Sequence, residues 1–494
     1  MAVTEIETPP MTHSKVRFAA GLEPCTIQTE RTTLPLSGTI PAWLRGTLYR
    51  NGPALWQAGS TTLQHWFDGF AKLHAFTIED DGTVSFQCRM LESEQYRRSL
   101  AQGRLWRRLF STQGTRRWYH KISQFIWPRY GDNALVNIQP IAGKMLVMTE
   151  SPRQVSVNPD NLAALGDFQF TDQLRGDNTT AHPMVDPVTG ELINLLTKYS
   201  KVTKHQFTRM KAGTQQRELI GVLRANEPSY HHSFGLTPRF IIFTECPFVV
   251  QPLRMVFGNS TILGSYRWKP ELGLRISLLD RKTGAVLGPF KTDPFFGFHH
   301  VNAYDEGDEV VFDLPVVEGP QVFEELLMSR MVVDGIVTVP VLKRFRVNHV
   351  SGRVNHCPLG SGGFDFPIID ECQRCKPAQV IYGCGLSAGR SHDMLNQLVR
   401  RPCDGGQDLT WVEEGCYPGE PIFVAKPGGA PDDGVLLSVV LDANRSTSFL
   451  LILDATSMRE LARAQVPHVV PFGFHGSFVP IGNKNGRKSD GQNS

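Results

Sequence analysis

Four histidines in separate apolar contexts are the residues of this sequence best suited to chemistry. They are His182 in TTAHPMVDP, His232 in SYHHSFGLT, His299 in FFGFHHVNAYDE and His475 in PFGFHGSFVP. A single histidine in such a context is more often a hydrogen-bonded core residue than a ligand. Four of them together indicate one metal site, because neutral imidazole binds iron, zinc, copper or nickel and usually gives its second ring N–H to a carboxylate or carbonyl.

The spacing of these histidines differs from the common zinc signatures. No two of the four lie three to five residues apart, as the ligands do in a zinc finger or an HExxH helix. Strand-like segments follow three of them: LINLLTKYS after His182, RFIIFTE after His232 and EVVFDLPVV after His299. Branched and aromatic residues in such runs favour strands. We therefore expect a ring of strands that each offer one imidazole.

Recurrent strand–turn–strand sequences predict an all-β architecture. EDDG precedes TVSFQ, DPVTG precedes ELINLL, DRKTG precedes AVLGPF, and VSG precedes RVNH. Asp and Gly in these positions are typical of hairpin turns. Hairpins that recur through the chain favour a β-propeller, but the repeat is too degenerate to count blades.

Ordered motifs along nearly the whole chain resemble those of the carotenoid cleavage oxygenase family. They are IPAWLRGTLYRNGPALW, HWFDGFAKLHAF, GDNALVNIQPIAG, VMTESP, TAHPMVDP, YHHSFGLTPRFIIFTE, FHHVNAYDEGDEVVFDL, GGFDFPIID, YPGEPIFVAKP and FHGSF. The resemblance implies a seven-bladed β-propeller with Fe(II) on its axis and a cap of insertions over the iron site. Within the cap we expect helical pieces around residues 323–331 and 391–400.

The resemblance also implies that His182, His232, His299 and His475 bind the iron directly. Two of these histidines have a histidine neighbour. His232 is preferred because it precedes SFGLT, and His299 is preferred because it follows a GF dipeptide.

Three acidic residues match the family's positions for carboxylates behind the iron ligands: Glu150 in VMTESP, Asp365 in GGFDFP and Glu420 in PGEPIFV. Asp365 departs from the family, which generally has Glu there. The missing methylene shortens the reach by over about 1 Å, whereas a charge-assisted N–H to carboxylate bond needs roughly 2.7 to 2.9 Å. We expect a compensating shift or a bridging water.

The length of 494 residues alone would favour about three domains. The candidate site residues extend from Glu150 to His475, however, so separate domains could not each hold the site. We predict one catalytic domain at residues 21–480, a flexible segment at 1–20 and a flexible polar tail at 481–494.

Four neutral imidazoles would keep the full charge of Fe(II) and leave coordination positions open for dioxygen. The resemblance then implies oxidative cleavage of a conjugated C=C bond of a carotenoid or apocarotenoid, with one oxygen atom in each carbonyl product. Stilbene cleavage is the alternative, in which a Tyr and Lys pair activates a phenol; Tyr96 is the candidate tyrosine, without a convincing lysine partner. A retinoid-type isomerohydrolase and a non-catalytic binding propeller are less favoured, since a scaffold has no need of the four histidines.

An insertion without acidic residues, from Gln95 to Tyr130, predicts a membrane contact. Its basic residues would face anionic lipid while its aromatic rings lie at the headgroup boundary. A solvated loop and a nucleic-acid groove are the alternatives, and we expect no nucleic-acid partner. Residues 246–258 form a candidate second patch. The candidate membrane contacts in the insertion are Trp106, Phe110, Trp118, Phe125 and Trp127.

The remaining sequence features predict a cytoplasmic enzyme with peripheral membrane association. No apolar run approaches the roughly 20 residues of a membrane span. The first residues, MAVTEIETPP, lack the charged and apolar regions of a secretory signal. Nine cysteines, an odd count, suit a reducing compartment better than a disulfide framework.

Overall fold

Short antiparallel strands joined by tight turns account for most of the described chain. The computed structural model describes residues 16–113, 130–252, 254 and 260–481. All four hairpins predicted from their turn sequences are confirmed. The paired residues nearest the turns are Ile78 and Val84, Val185 and Leu192, Leu279 and Val286, and Val347 and Val354.

The turn residues make the local bonds that hairpins need. Asp280 Oδ1 accepts the backbone N–H of Thr283 at 2.8 Å, and Gly284 adopts a φ of 72°. This left-handed conformation is easily reached only by glycine. Side-chain acceptors that bond the backbone two or three residues on stabilise such turns, so the hairpins are encoded locally.

Within the described residues, seven antiparallel sheets form the blades of a β-propeller, which confirms the predicted all-β, seven-bladed architecture. We number the blades in chain order and give their strands from the inner edge outward. Blade 1 contains Gly476–Pro480, Gly46–Leu55, Phe70–Ile78, Val84–Met90 and Thr29–Thr33; blade 2 contains Asn137–Ile141, Lys144–Met148, Val155–Val157 and Ala164–Asp167; blade 3 contains Asn178–Thr179 with Met184–Val185, then Leu192–Lys198, Thr203–Met210 and Arg217–Ala225. Blade 4 contains Gly235–Leu236, Phe240–Glu245, Leu274–Asp280 and Val286–Thr292; blade 5 contains Ala303–Glu306, Glu309–Val316, Val341–Asn348 and Val354–Pro358; blade 6 contains Phe364–Ile368, Val380–Gly385, Gln397–Pro402 and Leu409–Val412. Blade 7 contains Cys416–Pro418 with Ile422–Ala425, then Gly434–Asp442, Thr447–Asp454, Glu460–Val466 and Leu36–Gly38.

Short elements lie outside the blades. Two small sheets pair Gln57–Ala58 with Thr61–Thr62 and Phe248–Val250 with Tyr266–Trp268. The described α-helices are Glu94–Ala101, Val322–Glu325 and Met328–Asp334, and the 3-10 helices are Arg17–Leu22, Trp66–Asp68, Leu263–Ser265, Pro270–Leu272 and Glu371–Gln373. None of these described helices is long and apolar enough to cross a bilayer.

Exchange of strands between the two ends of the chain closes the ring of blades. The last strand, Gly476–Pro480, pairs with Gly46–Leu55 inside blade 1, and the early strand Leu36–Gly38 forms the outer edge of blade 7. The closing seam is tight at Gly52, where an added Cβ would lie 2.3 Å from the Cα of Gly473. Glycine is therefore required at position 52, where the strand crosses Gly473. Gly473 lies two residues before His475.

Apolar side chains packed between neighbouring blades hold the ring together. Between blades 1 and 7 they include Leu48, Phe76, Leu437 and Leu450, each with no more than 1% of its surface exposed. Full burial of one such side chain stabilises the fold by roughly 1.5–3 kcal/mol. The blades therefore depend on one another for their cores.

One of the two predicted helical pieces of the cap is confirmed and the other is wrong. Val322–Glu325 and Met328–Asp334 occupy the stretch expected around residues 323–331. At residues 391–400 the structure instead has the start of Gln397–Pro402, a strand paired on both sides within blade 6. Leu398 and Val399 are buried on opposite faces of that strand, so tertiary pairing decides its conformation.

Part of the segment predicted as flexible at residues 1–20 is ordered. Arg17–Leu22 forms a 3-10 helix, and Phe18 is fully buried with its ring 5.7 Å from that of Tyr417. Residues 1–15 and 482–494 lie outside the described residues, so the rest of the predicted division into segments stays a prediction.

The tight seam predicts a position-specific cost. Gly52→Ala should destabilise the protein by about 1–3 kcal/mol, because the new methyl group meets backbone that cannot move aside. The same substitution at Gly131, where the nearest atom to an added Cβ is 4.0 Å away, is the control. Denaturant unfolding of both variants measures the difference, and equal stabilities would contradict the assignment of the seam.

Candidate metal centre and cavity

Each blade contributes one of the seven predicted site residues. Blade 3 supplies His182, blade 4 His232, blade 5 His299 and blade 1 His475, while blade 2 supplies Glu150, blade 6 Asp365 and blade 7 Glu420. Most of these residues lie within an inner strand or beside one, and Glu150 follows the second strand of its blade. The propeller thereby gathers residues that are hundreds of positions apart into one ring.

The four histidines converge on a single point. One ring nitrogen from each lies within 4.8 Å of the others. The Nε2 atoms of His182 and His232 are 2.9 Å apart, and the ring centroids of His299 and His475 are 5.0 Å apart. The rings meet at steep angles rather than stacked, so their edges point toward a common centre. The structure therefore brings together all four predicted ligands, whose role as iron ligands stays a prediction.

Three of the rings are oriented by carboxylates. His232 Nδ1 lies 2.7 Å from Glu150 Oε1, and His299 Nδ1 lies 2.7 Å from Asp365 Oδ1. At His475, Nδ1 lies 2.6 Å from an oxygen of Glu420. When each Nδ1–H donates to its carboxylate, the Nε2 lone pair of the same ring faces the other histidines, which is the orientation that a metal ligand requires.

Burial favours the uncharged form of His182, His232 and His475. It lowers the pKa of His182 and of His475 well below the usual range, and the neighbouring histidines add to the effect. Burial also lowers the pKa of His232, although its bond to Glu150 acts in the opposite direction. Neutral imidazole is the form that binds metal ions.

The donor atoms fit a transition-metal ion. His299 Nε2 is buried and has no hydrogen-bond partner among the described residues. A buried polar atom without a partner is costly, and a cation between the four rings would satisfy it together with the facing Nε2 atoms of His182 and His232. Four imidazole nitrogens suit iron, zinc, copper or nickel rather than magnesium or calcium.

Asp365 reaches His299 directly despite its shorter side chain. The backbone beside this contact is irregular. The pairing of Phe364–Ile368 with the next strand is irregular after Asp365, and Phe366 adopts a φ of 51°. The backbone N–H of Phe366 donates to Asp365 Oδ1 at 2.8 Å. A left-handed non-glycine residue costs about 1–2 kcal/mol, and here it accompanies the turn that aims the carboxylate.

Two residues of the site were missed in the sequence. Arg50 is 5% exposed; its Nη1 donates to Glu420 Oε2 at 2.6 Å and its Nη2 donates to the Phe474 carbonyl at 2.8 Å. The Tyr230 hydroxyl donates to Glu150 Oε1 at 2.8 Å. Arg50 lies within the motif RNGPALW and Tyr230 begins the motif YHHSFGLT, but neither has a spacing that predicts its partner.

Arg50 offsets the cost of burying Glu420. Burial raises the pKa of Glu420, whereas the guanidinium of Arg50 acts to lower it. The bond from Arg50 to Glu420 therefore favours the ionised carboxylate that accepts the His475 ring N–H.

The histidines adjacent to the predicted ligands face elsewhere. His231 packs its ring 4.1 Å from that of Phe243, and His300 bonds the hydroxyls of Ser233 and Thr244 at 2.9 and 3.3 Å. Their positions agree with the preference for His232 and His299.

A cavity of about 720 Å³ is lined by three of the four histidines. Its walls near His232, His299 and His475 are mainly aromatic. Pockets of this size and composition hold small apolar ligands. The aromatic lining residues near the rings are Trp66, Phe67, Phe110, Phe298, Phe366 and Phe474.

Of the five candidate membrane contacts in the insertion, one is partly exposed, one lines the cavity and three lie outside the described residues. Trp106 is partly exposed and carries the Arg107 guanidinium 3.6 Å from its ring centroid. Phe110 turns inward to the cavity wall, with its ring 5.8 Å from that of Phe323. The remaining three, Trp118, Phe125 and Trp127, lie outside the described residues, as does most of the second patch after residue 252.

Comparisons with known proteins identify the family. Residues 22–480 match the family model described as retinal pigment epithelial membrane protein. The chain is 30% identical over 476 residues to carotenoid cleavage dioxygenase 8 homolog A of Oryza sativa subsp. japonica, covering 90% of this chain and 85% of that one. It is 29% identical over 519 residues to the beta,beta-carotene 15,15'-dioxygenase of Rattus norvegicus, covering 92% and 90%.

Solved structures give the same result. A variant of the Synechocystis apocarotenoid oxygenase superposes with a TM-score of 0.85 at 25% identity, over 94% of this chain and 98% of that one. The cobalt-substituted form of that enzyme superposes with a TM-score of 0.84 at 25% identity, over the same shares of each chain. This protein therefore belongs to the carotenoid cleavage oxygenase family. It is an enzyme of the dioxygenase class.

The carboxylate behind His299 should matter for metal binding. Asp365→Ala should weaken the affinity for Fe(II) by about 10- to 100-fold, because His299 loses the acceptor that fixes its ring. Competition with a chromophoric chelator measures the affinity. Asp308→Ala, which removes an exposed carboxylate from a turn of blade 5, is the control. Wild-type affinity in the Asp365 variant would contradict the role given to this carboxylate.

Proposed function

We propose that this enzyme uses Fe(II) and O2 to cleave a conjugated C=C bond of a carotenoid or apocarotenoid, giving two carbonyl products. The observation that carries the proposal is the convergence of four imidazoles beside a largely aromatic cavity. Relatives named as carotenoid-cleaving dioxygenases support the choice of substrate class.

His182, His232, His299 and His475 would hold the metal through their Nε2 atoms. Iron is favoured over zinc because zinc has no redox chemistry, whereas the enzyme class uses dioxygen. When bound, Fe(II) would supply the site at which O2 is taken up and activated. The structure of a cobalt-substituted relative supports a metal ion in an enzyme of this fold.

The protein side chains have separate tasks. Glu150, Asp365 and Glu420 hold three of the rings in one orientation. Because these carboxylates lie behind the rings, the metal would keep its positive charge and its open positions. Phe298 and Phe366, which pack against His299, keep bulk water from the centre and offer flat surfaces to a polyene.

Stilbene cleavage gains no support from the tyrosine proposed for it. Tyr96 lies on the helix Glu94–Ala101 with its ring 5.3 Å from that of Phe70, so it packs against blade 1 and is not part of the cavity wall. The carotenoid class is therefore retained.

Oxygen labelling tests the reaction. Iron-loaded enzyme supplied with ¹⁸O2 and a panel of β-carotene, apocarotenals, lycopene and resveratrol should yield carbonyl products that each carry one ¹⁸O atom. Aldehydes are reduced with borohydride at once, so that exchange with water does not erase the label, and then identified by mass spectrometry. His299→Ala is the inactive control. Cleavage of resveratrol alone, or no scission of any double bond, would contradict the proposal.

We also propose that the basic insertion docks the enzyme on an anionic membrane, where its apolar substrates dissolve. The supporting residue within the described chain is Trp106, a partly exposed ring beside Arg98 and Arg107. Phe110 is a poor probe of this surface because it contributes to the cavity wall.

Vesicle flotation tests the membrane contact. Trp106→Glu combined with Trp127→Glu should reduce flotation with phosphatidylserine-containing vesicles several-fold, because acidic side chains are repelled from an anionic interface. Val188→Glu, a new acid at a residue 85% exposed in a turn of blade 3, is the control. Undiminished flotation of the double variant would rule out this surface.

A further inference from the structure

The two ends of the cavity differ in polarity. One end is mostly apolar and is formed by the segments just before the third strands of blades 5 and 6. The other end lies where blade 3 meets the chain around Tyr130 and is charged. Blades 3 and 6 are three positions apart in a ring of seven, so the two ends lie nearly opposite each other with the histidines between them. The apolar end is lined by Ile336, Val339, Pro340, Met394 and Leu395, and the charged end by Arg107, Arg108, Tyr130, Asp177, Lys198 and Lys201.

Asp177 organises the charged end. Its Oδ1 accepts the hydroxyl of Tyr130 and the Lys198 ammonium, the latter at 2.9 Å, and its Oδ2 accepts the backbone N–H of Tyr199 at 2.7 Å. This carboxylate is therefore committed to protein donors. An ammonium has three donors, and among the described residues Lys198 uses one of them, toward Asp177, so two are left for a ligand.

The balance of charge at this end favours an anionic or strongly accepting group. Arg107, Arg108, Lys198 and Lys201 line the cavity here, and Asp177 already accepts hydrogen bonds from Tyr130 and Lys198. At the opposite end the carboxylate of Asp393 lines the cavity, with Arg390 Nη1 4.0 Å away. A hydrocarbon terminus placed against the cationic end would remove water from these groups without replacing its hydrogen bonds, which is unfavourable.

We propose that the cluster of Tyr130, Asp177 and Lys198 binds an oxygenated terminal group, a carboxylate or an aldehyde, of an apocarotenoid. The inference rests on the proposed function and narrows its substrate class. The polyene then extends past the four histidines into the apolar end. Fixing one terminus in this way sets the distance along the chain at which the scissile bond meets the metal centre. The enzyme is thus selective for a substrate that already carries an oxygenated end, and an earlier oxidative cleavage of a longer carotenoid is the class of reaction that supplies it.

Binding to metal-free protein tests the inference independently of catalysis. The probes are retinoic acid, retinal and the matching hydrocarbon with a terminal methyl group, and the readout is quenching of tryptophan fluorescence, since Trp66 lines the cavity. Wild type should bind the acid most tightly and the hydrocarbon least. Lys198→Met should weaken binding of the acid about tenfold or more, because a hydrogen bond to a charged group is lost, and should leave the hydrocarbon unchanged.

Two further variants serve as a control lysine and as a test of the carboxylate in the cluster. Lys204→Met, which removes an exposed lysine from the next strand of blade 3, should bind all three probes like wild type. Asp177→Asn should raise the preference for the acid, because it removes the one carboxylate of the cluster. Equal affinities for acid and hydrocarbon in wild type, or identical behaviour of the Lys198 and Lys204 variants, would overturn the inference.

The same variants in iron-loaded enzyme separate this inference from the proposed function. Lys198→Met should raise KM for an apocarotenoid acid with little change in kcat, as expected for a group that binds the far end of the substrate. Cleavage without any end-group preference would refute the inference and leave the proposed function standing. End-group-dependent binding without cleavage of any polyene would refute the proposed function and leave the inference standing.

Discussion

Hydrogen bonds from three buried imidazoles to carboxylates are the interactions on which the rest of the site depends. His232, His299 and His475 each bond a carboxylate through Nδ1, and only this arrangement turns their Nε2 atoms toward one point. A rotation of any ring would replace a ligand atom by an N–H or a carbon. The propeller serves this geometry because its blades bring one residue each to the axis.

The buried carboxylates of the site are stabilised because each one lies next to hydrogen-bond donors. Carboxylates stand behind the rings, and a cation or hydroxyl stands behind two of the carboxylates, Arg50 at Glu420 and Tyr230 at Glu150. The face toward the cavity is largely aromatic. Charge is thus concentrated where it orients the ligands and kept away from the space that would hold an apolar substrate.

Local signals made much of this structure predictable. The hairpins follow from their turn residues, and the four histidines are recognisable by their motifs. Arg50 and Glu420 are 370 residues apart, and no spacing rule predicts such a pair. Local propensity wrongly predicted a helix at residues 391–400. Hydrogen bonds to a neighbouring strand on each side make Gln397–Pro402 a strand instead. At Asp365 the need for compensation was predictable, but the backbone turn at Phe366 was not, because the sequence carries no signal for the irregular pairing that accompanies it.

The most direct test of the metal centre is anomalous X-ray diffraction from crystals of the iron-loaded enzyme, measured on both sides of the iron absorption edge. We expect one strong iron peak at the propeller axis, bonded by the Nε2 atoms of His182, His232, His299 and His475 and by no carboxylate. A peak elsewhere, or an iron ion bonded by an oxygen of Glu150, Asp365 or Glu420, would contradict the assignment of the four histidines as its ligands.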